Sequence, residues 1–200
     1  MFDLDGTLLR ERTVCEVLAA PLGRSSDMVR IEALTTEDEI TAGRLEMAEW
    51  YRNHTIDQLT GHLSSAKWAP GAREAVKCLQ KEGAVVAIAS YTWRFAVKWF
   101  AEQLNVVHYL GTDLSTDGEV LDVWGRDKAT LLTGLKIRYG LPKDRTAAVG
   151  DTRGDAEMLA VVGLPFFVGS SPLPESEGVI HMPGADLRDV ADRILTAWLA

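Results

Sequence analysis

The sequence predicts an α/β fold: a parallel sheet with helices on both faces, and an all-helical stretch near its start. Three observations predict it. From residue 84 onward, short apolar runs alternate with helical patterns, the signature of strands joined by crossover helices. The runs at 84–89 and 145–149 are apolar on both faces, as strands covered from both sides must be. Between about Arg10 and Trp68 the apolar residues recur at helical spacing, with no convincing strand among them.

The elements follow in chain order. Met1-Phe2-Asp3-Leu4-Asp5-Gly6-Thr7-Leu8 alternates apolar residues with carboxylates, which puts both acids on one face of a first strand. Gly6 and Thr7 then turn the chain, since glycine tolerates backbone angles closed to other residues. Val14, Val17 and Leu18, then Met28, Ile31 and Leu34, then Leu45, Met47, Ala48 and Tyr51, then Ile56, Leu59 and Leu63 mark four helices. Pro70-Gly71 restarts a helix that runs to Gly83. Strands are expected at 84–89, 107–110, 145–149 and 165–168, with helices near 93–104, 127–139, 155–162 and 187–199. Asp117-Gly118 signals a hairpin within 114–123, and the Ser/Pro-rich 169–174 reads as a loop. A helical block inserted after the first strand is a cap arrangement. The division expected is residues 1–10 and 69–200 as the α/β core and 11–68 as the helical cap.

Two hundred residues suit one domain with a modest insertion, and 46% hydrophobic residues suffice for a real core. A net charge of −8 argues against a nucleic-acid partner, which would call for a basic surface. It leaves room for a small anionic substrate, because a local cation reverses the sign within a cleft. No stretch has the apolar length of a membrane span, and the N-terminus lacks a signal pattern. Cys15 and Cys78 lie in helical patterns without a Cys-x-x-Cys spacing, so buried reduced thiols and a cytoplasmic setting are expected. Only Met1 and Phe2 precede Asp3. Either the true start lies upstream of Met1 or the first strand is unusually short, leaving neighbouring backbone unpaired.

Chemistry concentrates in four segments. Two adjacent carboxylates, Asp3 and Asp5, repel each other; alone they read as an acidic turn, but they also suit a metal ion or a nucleophile beside a proton donor. Ser90 ends the 84–89 strand, where open α/β sheets place their ligand crevice, and its hydroxyl can donate to a phosphate oxygen. Lys128 opens a helix, where the dipole prefers anions, so its ammonium is better placed against an anion or a carboxylate cluster. In Val149-Gly150-Asp151-Thr152-Arg153-Gly154-Asp155, a buried strand delivers Asp151 to the crevice and Asp155 follows in the next helical turn. Carboxylates converging there call for a divalent cation, and hard oxygen ligands without His or Cys favour Mg2+ over zinc.

Asp-x-Asp-Gly-Thr, a strand-end Ser, a helix-start Lys and Gly-Asp-x-x-x-Asp, in that order, resemble the four motifs of the haloacid dehalogenase superfamily. The resemblance covers the whole chain. It implies a Rossmann-like core of strand order 5-4-1-2-3 beneath a mobile cap. It further implies Asp3 as the nucleophile that becomes an aspartyl-phosphate and Asp5 as the general acid. Ser90 and Lys128 would hold phosphate, with Asp155 in support. The metal would sit on Asp3, Asp151 and the Asp5 backbone carbonyl. An acid at position 5 favours a phosphatase over a dehalogenase, because an alkoxide needs a proton to leave and a halide does not.

The helical cap after the first strand resembles the phosphoserine phosphatase branch, with departures. Arg12 stands where that branch has a Glu, and Ser90-Tyr91-Thr92 replaces Ser-Gly-Gly. His54 falls where a cap Arg is expected. Another small phosphorylated metabolite, sensed by Arg12, His54 and Tyr91, is therefore the expected substrate. The alternatives are a phosphomutase or phosphotransferase using the same site, or a binding or regulatory module without turnover. His62, His108 and His181 share no ligand spacing. Trp93 and Trp99 are expected to pack the core, and Trp124 to line either core or cleft.

Overall fold

The computed structural model describes residues 1–115, 117–173 and 178–199. Thr116 in the expected hairpin, Pro174 at the end of the expected 169–174 loop, and Ala200 lie outside the described residues. The elements are β1 (Leu9–Arg10), α1 (Val14–Ala19), α2 (Ser25–Glu32), α3 (Glu37–Tyr51), α4 (Ile56–His62), β2 (Lys67–Trp68), α5 (Ala72–Lys81), β3 (Ala87–Trp93) and α6 (Arg94–Gln103). There follow β4 (His108–Leu114), β5 (Val120–Leu121), α7 (Gly125–Tyr139), β6 (Ala147–Gly150), α8 (Ala156–Ala160), β7 (Leu164–Phe167), β8 (Ile180–His181) and α9 (Leu187–Leu199).

The opening residues form the centre of the sheet. Phe2 bridges in parallel to Ile88 of β3 on one side and to Val149 of β6 on the other. β4 continues the sheet beyond β3, and β7 then β8 continue it beyond β6, all in parallel register. β8 at the outer edge is a strand the sequence pattern does not announce. The backbone of the opening residues is paired on both sides. The Phe2 amide donates to the Ala87 carbonyl and the Asp3 amide to Val149, while Phe2 and Met1 carbonyls accept from Ala89 and Val149. The Met1 amine, buried and donating to the Ala147 carbonyl at 2.7 Å, is pushed down to about 5 by loss of water.

The expected 84–89 strand is displaced: it begins at Ala87 and runs on to Trp93. Residues 84–86 lie beyond the first strand's pairing and line a cavity of about 180 Å³ with Met1, Arg145 and Trp198, at the end of the sheet away from Asp3. Side-chain alternation then splits the core in two. Phe2, Ile88, Val149 and Phe166 face the layer of α5, α6 and α9; Met1, Ala87, Ala89, Ala148 and Phe167 face α7 and α8. Phe100 of α6 is fully buried, with Trp68 and Trp99 edge-on to its ring. Trp93 is likewise buried, against Tyr51.

β1 and β2 pair antiparallel, Leu9 with Trp68 and Arg10 with Lys67. They close the two ends of the helical stretch on each other, which corrects the expectation of no strand there. Two-residue strands are too short to show alternation, and their partners lie far apart in the chain. Three of the helices between them begin with the same device: Thr13, Thr36 and Thr55 cap the third amide, and Glu16, Glu39 and Gln58 reach back. The Asp117-Gly118 turn joins β4 to β5, with Gly118 at φ +84°. No helix among the described residues is long and apolar enough to cross a membrane. Cys15 and Cys78 are free and half-buried rather than fully enclosed.

Phe100→Ala is expected to cost about 3–5 kcal/mol of stability, read as a lower urea midpoint at unchanged slope.

Candidate active site

Strand order decides where the first two acids go. The opening strand ends after its central pairing, so Asp3 emerges at the sheet edge between β3 and β6. Gly6, at φ +79°, turns the chain directly over Asp151. A Cβ at Gly6 would stand 2.0 Å from an Asp151 carboxylate oxygen, so only glycine fits. Thr7, fully buried, donates its hydroxyl to Asp151 Oδ1 at 3.0 Å. The opening loop thus holds the β6 loop in place.

Lys128 reaches in from the first turn of α7. Its Nζ donates to Asp3 Oδ1 at 2.6 Å and to Asp155 Oδ1 at 2.8 Å, and the residue is 2% exposed. The two carboxylates hold its ammonium charged well above the ordinary range, against the pull of burial. Asp155 is in turn fixed by the backbone: its Oδ2 accepts from the Asp151 and Thr152 amides, both at 3.1 Å. Gly150 makes room for this turn, since a Cβ there would meet Asp155 at 2.5 Å.

Asp3, Asp151 and Asp155 each present a carboxylate oxygen within 4.8 Å of the others. Three carboxylates face one ammonium, which leaves negative charge uncompensated. Burial, reinforced by neighbouring carboxylates, raises Asp3 well above the usual range despite Lys128, and pushes Asp151 up to about 6. The donor chemistry fits a divalent cation: hard oxygens, excess negative charge, no nitrogen or sulfur. Asp155 is already committed to Lys128 and the backbone, so Asp3 and Asp151 are the carboxylates free to hold an ion.

Asp5 serves differently. Its carboxylate accepts from the Val14 amide at 2.7 Å. Burial, with Glu32 and Asp151 adding repulsion, pushes it up to about 7 against that hydrogen bond. A carboxyl poised there can give and take a proton near neutrality.

Above these groups opens a cavity of about 360 Å³. Asp3, Asp5, Ser90, Lys128 and Asp151 form its floor, and Met28, Ile31, Leu34, Ile40 and Met47 from α2, α3 and the turn between them are among its apolar walls. Ser90 is buried and accepts from the Thr92 amide at 3.2 Å. It does not end a strand, as the sequence suggested. It is the first residue past the pairing with Phe2, and the register with β4 breaks from Ala89 onward.

Of the three expected substrate sensors, only Tyr91 lines the cavity. Its ring lies 4.5 Å from Lys128 Nζ, and its hydroxyl is tied to the Gly154 carbonyl at 2.8 Å, so it buttresses Lys128 and carries no free donor. Arg12 and His54 are exposed and outside the cavity. Arg12 follows Glu11, at φ +72°, in a bend that carries it outward, and His54 sits in the turn closing α3. Arg44, Glu32, Thr13 and Cys15 line the cavity unforeseen. The signal for Arg44 is present in the sequence: with Ile40 and Met47 it falls at helical spacing, a charge within an apolar stripe. Trp124 is half-buried and not part of the cavity lining; its ring centre lies 4.9 Å from the Arg44 guanidinium.

The sequence model of the haloacid dehalogenase-like hydrolases matches residues 1–160. The chain belongs to the haloacid dehalogenase-like hydrolase family. Among curated relatives, a probable phosphoserine phosphatase of Schizosaccharomyces pombe is 26% identical over 93% of this chain and 70% of its own. The phosphoserine phosphatase of Methanocaldococcus jannaschii is 24% identical, covering 95% of this chain and 94% of its own. That of Mycobacterium tuberculosis is 26% identical, and the chain spans 47% of it. Among solved structures, a phospho-aspartyl intermediate analogue of phosphoserine phosphatase superposes with TM-score 0.77 at 23% identity, over 96% of both chains. At that identity the superposition speaks for the fold. Family and relatives together place this haloacid dehalogenase-like hydrolase among the phosphoric monoester hydrolases.

Two outcomes are expected. Gly6→Ala displaces Asp151 and should lower cation affinity by at least about tenfold, measured by calorimetric titration. In the cation-free protein, Asp5 and Asp151 bind protons more tightly when folded than at their ordinary 3.8. Their contribution to stability is therefore complete below that value and lost as pH rises through about 6 and then about 7. The melting temperature should fall between about pH 4 and about pH 7, and added Mg2+ should restore it.

Proposed function

We propose that this hydrolase is a Mg2+-dependent phosphatase of small phosphomonoesters, acting through an aspartyl-phosphate on Asp3. The observation that carries the reading is Lys128 bridging Asp3 and Asp155 at the floor of the cavity, with the carboxyl of Asp5, two residues after Asp3, poised near 7. Bound at Asp3 and Asp151, with the Asp5 carbonyl as a further oxygen, Mg2+ would supply charge neutralisation for a phosphate dianion beside these acids.

The residues divide the work. Ser90 and Lys128 hold the phosphate oxygens, and Tyr91 and Asp155 keep Lys128 aimed. An Asp3 carboxylate oxygen attacks phosphorus, and the bond from phosphorus to the alcohol oxygen breaks. The Asp5 proton goes to that oxygen, so the alcohol leaves neutral. The Asp5 carboxylate then takes a proton from water, whose oxygen attacks the phosphorylated Asp3 at phosphorus. The Asp3–phosphorus bond breaks, inorganic phosphate leaves, and both acids return to their starting state.

Residues 11–68 act as a cap over this floor: β1 and β2 are its stem, and α2 and α3 supply the apolar roof. A volume of about 360 Å³ suits a small metabolite. The free cysteines support a reducing, cytoplasmic setting.

Asp3→Asn should abolish phosphate release from p-nitrophenyl phosphate while leaving the melting transition cooperative; near-wild-type turnover would remove Asp3 from this role. Asp5→Asn should slow alkyl phosphates by about a hundredfold or more and aryl phosphates much less, because aryl oxides leave without a proton. Chelation should stop turnover and Mg2+ should restore it. Transfer of phosphate to a second hydroxyl, with none released, would instead mark a phosphotransferase.

A further inference from the structure

The upper wall of the cavity has a charge pattern that bears on which phosphomonoester enters. Lys128 and Arg44 are the cations among the described residues lining it, and Lys128 belongs to the floor. Arg44 comes from α3 and would be the natural partner for an anionic group on the alcohol. Its guanidinium is already committed. One terminal nitrogen pairs with Asp122, just after β5, with side chains 7% and 12% exposed. The other donates to the Tyr91 carbonyl at 2.9 Å, and the guanidinium plane rests on Trp124. Asp122 is held from its other oxygen by the Thr41 hydroxyl. The pair is compensated within the protein and offers no net positive charge to a ligand.

The carboxylate facing the alcohol is uncompensated. Glu32, at the mouth of the cavity, accepts from the Thr13 hydroxyl at 2.8 Å and has no cation partner among the described residues. It lines the same cavity as Asp5, the proposed proton donor to the departing oxygen. A carboxylate on the alcohol would therefore meet apolar walls, a committed guanidinium and a like charge. An uncharged alcohol would meet none of these penalties, and an ammonium would find in Glu32 an opposite charge to offset the apolar walls.

We propose that this cavity selects phosphomonoesters whose alcohol carries no carboxylate, and that Asp122 is the residue that sets this selection by occupying Arg44. This rests on the phosphatase reading above and deepens it.

The test compares O-phosphoserine with 2-aminoethyl phosphate, which differ by the carboxylate alone, with p-nitrophenyl phosphate as a measure of the reaction itself. The wild-type enzyme should show kcat/KM for aminoethyl phosphate at least about tenfold above that for phosphoserine, as expected where a charged group goes unpaired. Asp122→Asn frees Arg44 and should narrow that ratio by about tenfold. Ratios within one variant are compared, so a partial loss of folded enzyme cancels. Arg44→Met combined with Asp122→Leu removes both charges and should leave the ratio where it stands in the wild type, since the pair offers no net charge to substrate. A wild-type preference for phosphoserine with p-nitrophenyl phosphate hydrolysed overturns the selection and leaves the phosphatase standing. A loss confined to phosphoserine in that double variant does the same. Absence of hydrolysis of all three esters overturns both.

Discussion

The ammonium of Lys128, shared between Asp3 and Asp155 in a place without solvent, is the contact on which the active end of this molecule depends. Each of these charges costs several kcal/mol to bury, and only close pairing offsets that. The pairing fixes more than itself. Asp155 can accept from Lys128 because its second oxygen is held by two backbone amides, and those amides point inward because Gly150 lets the chain turn tightly. Lys128 reaches Asp3 because Tyr91 supports it from below and is itself anchored on Gly154. Removing Lys128 leaves two buried carboxylates without their cation, whereas removing either acid leaves the ammonium with one partner. The triad remains negative in sum, and that residual charge is what makes the floor receptive to a cation.

The sheet holds the opening residues from both sides. Only Met1 to Asp3 lies between β3 and β6, yet the amides and carbonyls there are matched on both sides. Residues 84–86 lie outside β3, which begins at Ala87. The end that carries Asp3 is the well-paired end. Positional precision is thus kept where the chemistry is, and the loose packing lies at the opposite edge.

Much of this was legible in the residues. The acids, Ser90, Lys128 and Asp155 gather at one end of the sheet, because the two Asp motifs each join a strand end to a glycine turn, and that local geometry is written in neighbouring positions. The crossover helices and the apolar strands were readable for the same reason. What could not be read is what depends on distant pairing. Lys67–Trp68 and Ile180–His181 are strands only because of the chain beside them. Arg12 and His54 were placed by counting from a motif, but the bend at Glu11 and the turn closing α3 carry both away from the cavity.

Arg44 and Asp122 show why a motif can name a reaction and leave a substrate open. The reaction depends on the sheet edge, where close neighbours in sequence converge. The roof is made where α3 meets the segment after β5, and those contacts join residues remote in the chain. A guanidinium in such a roof looks, one residue at a time, like a receptor for a carboxylate. Its meaning reverses once Asp122 is set against it. Largely buried and paired, it serves to hold α3 to the core and to brace Tyr91, and through Tyr91 the Lys128 ammonium below. Selection at the roof and orientation at the floor are therefore coupled through one side chain: a substrate group able to draw Arg44 away would also loosen the support beneath the phosphate.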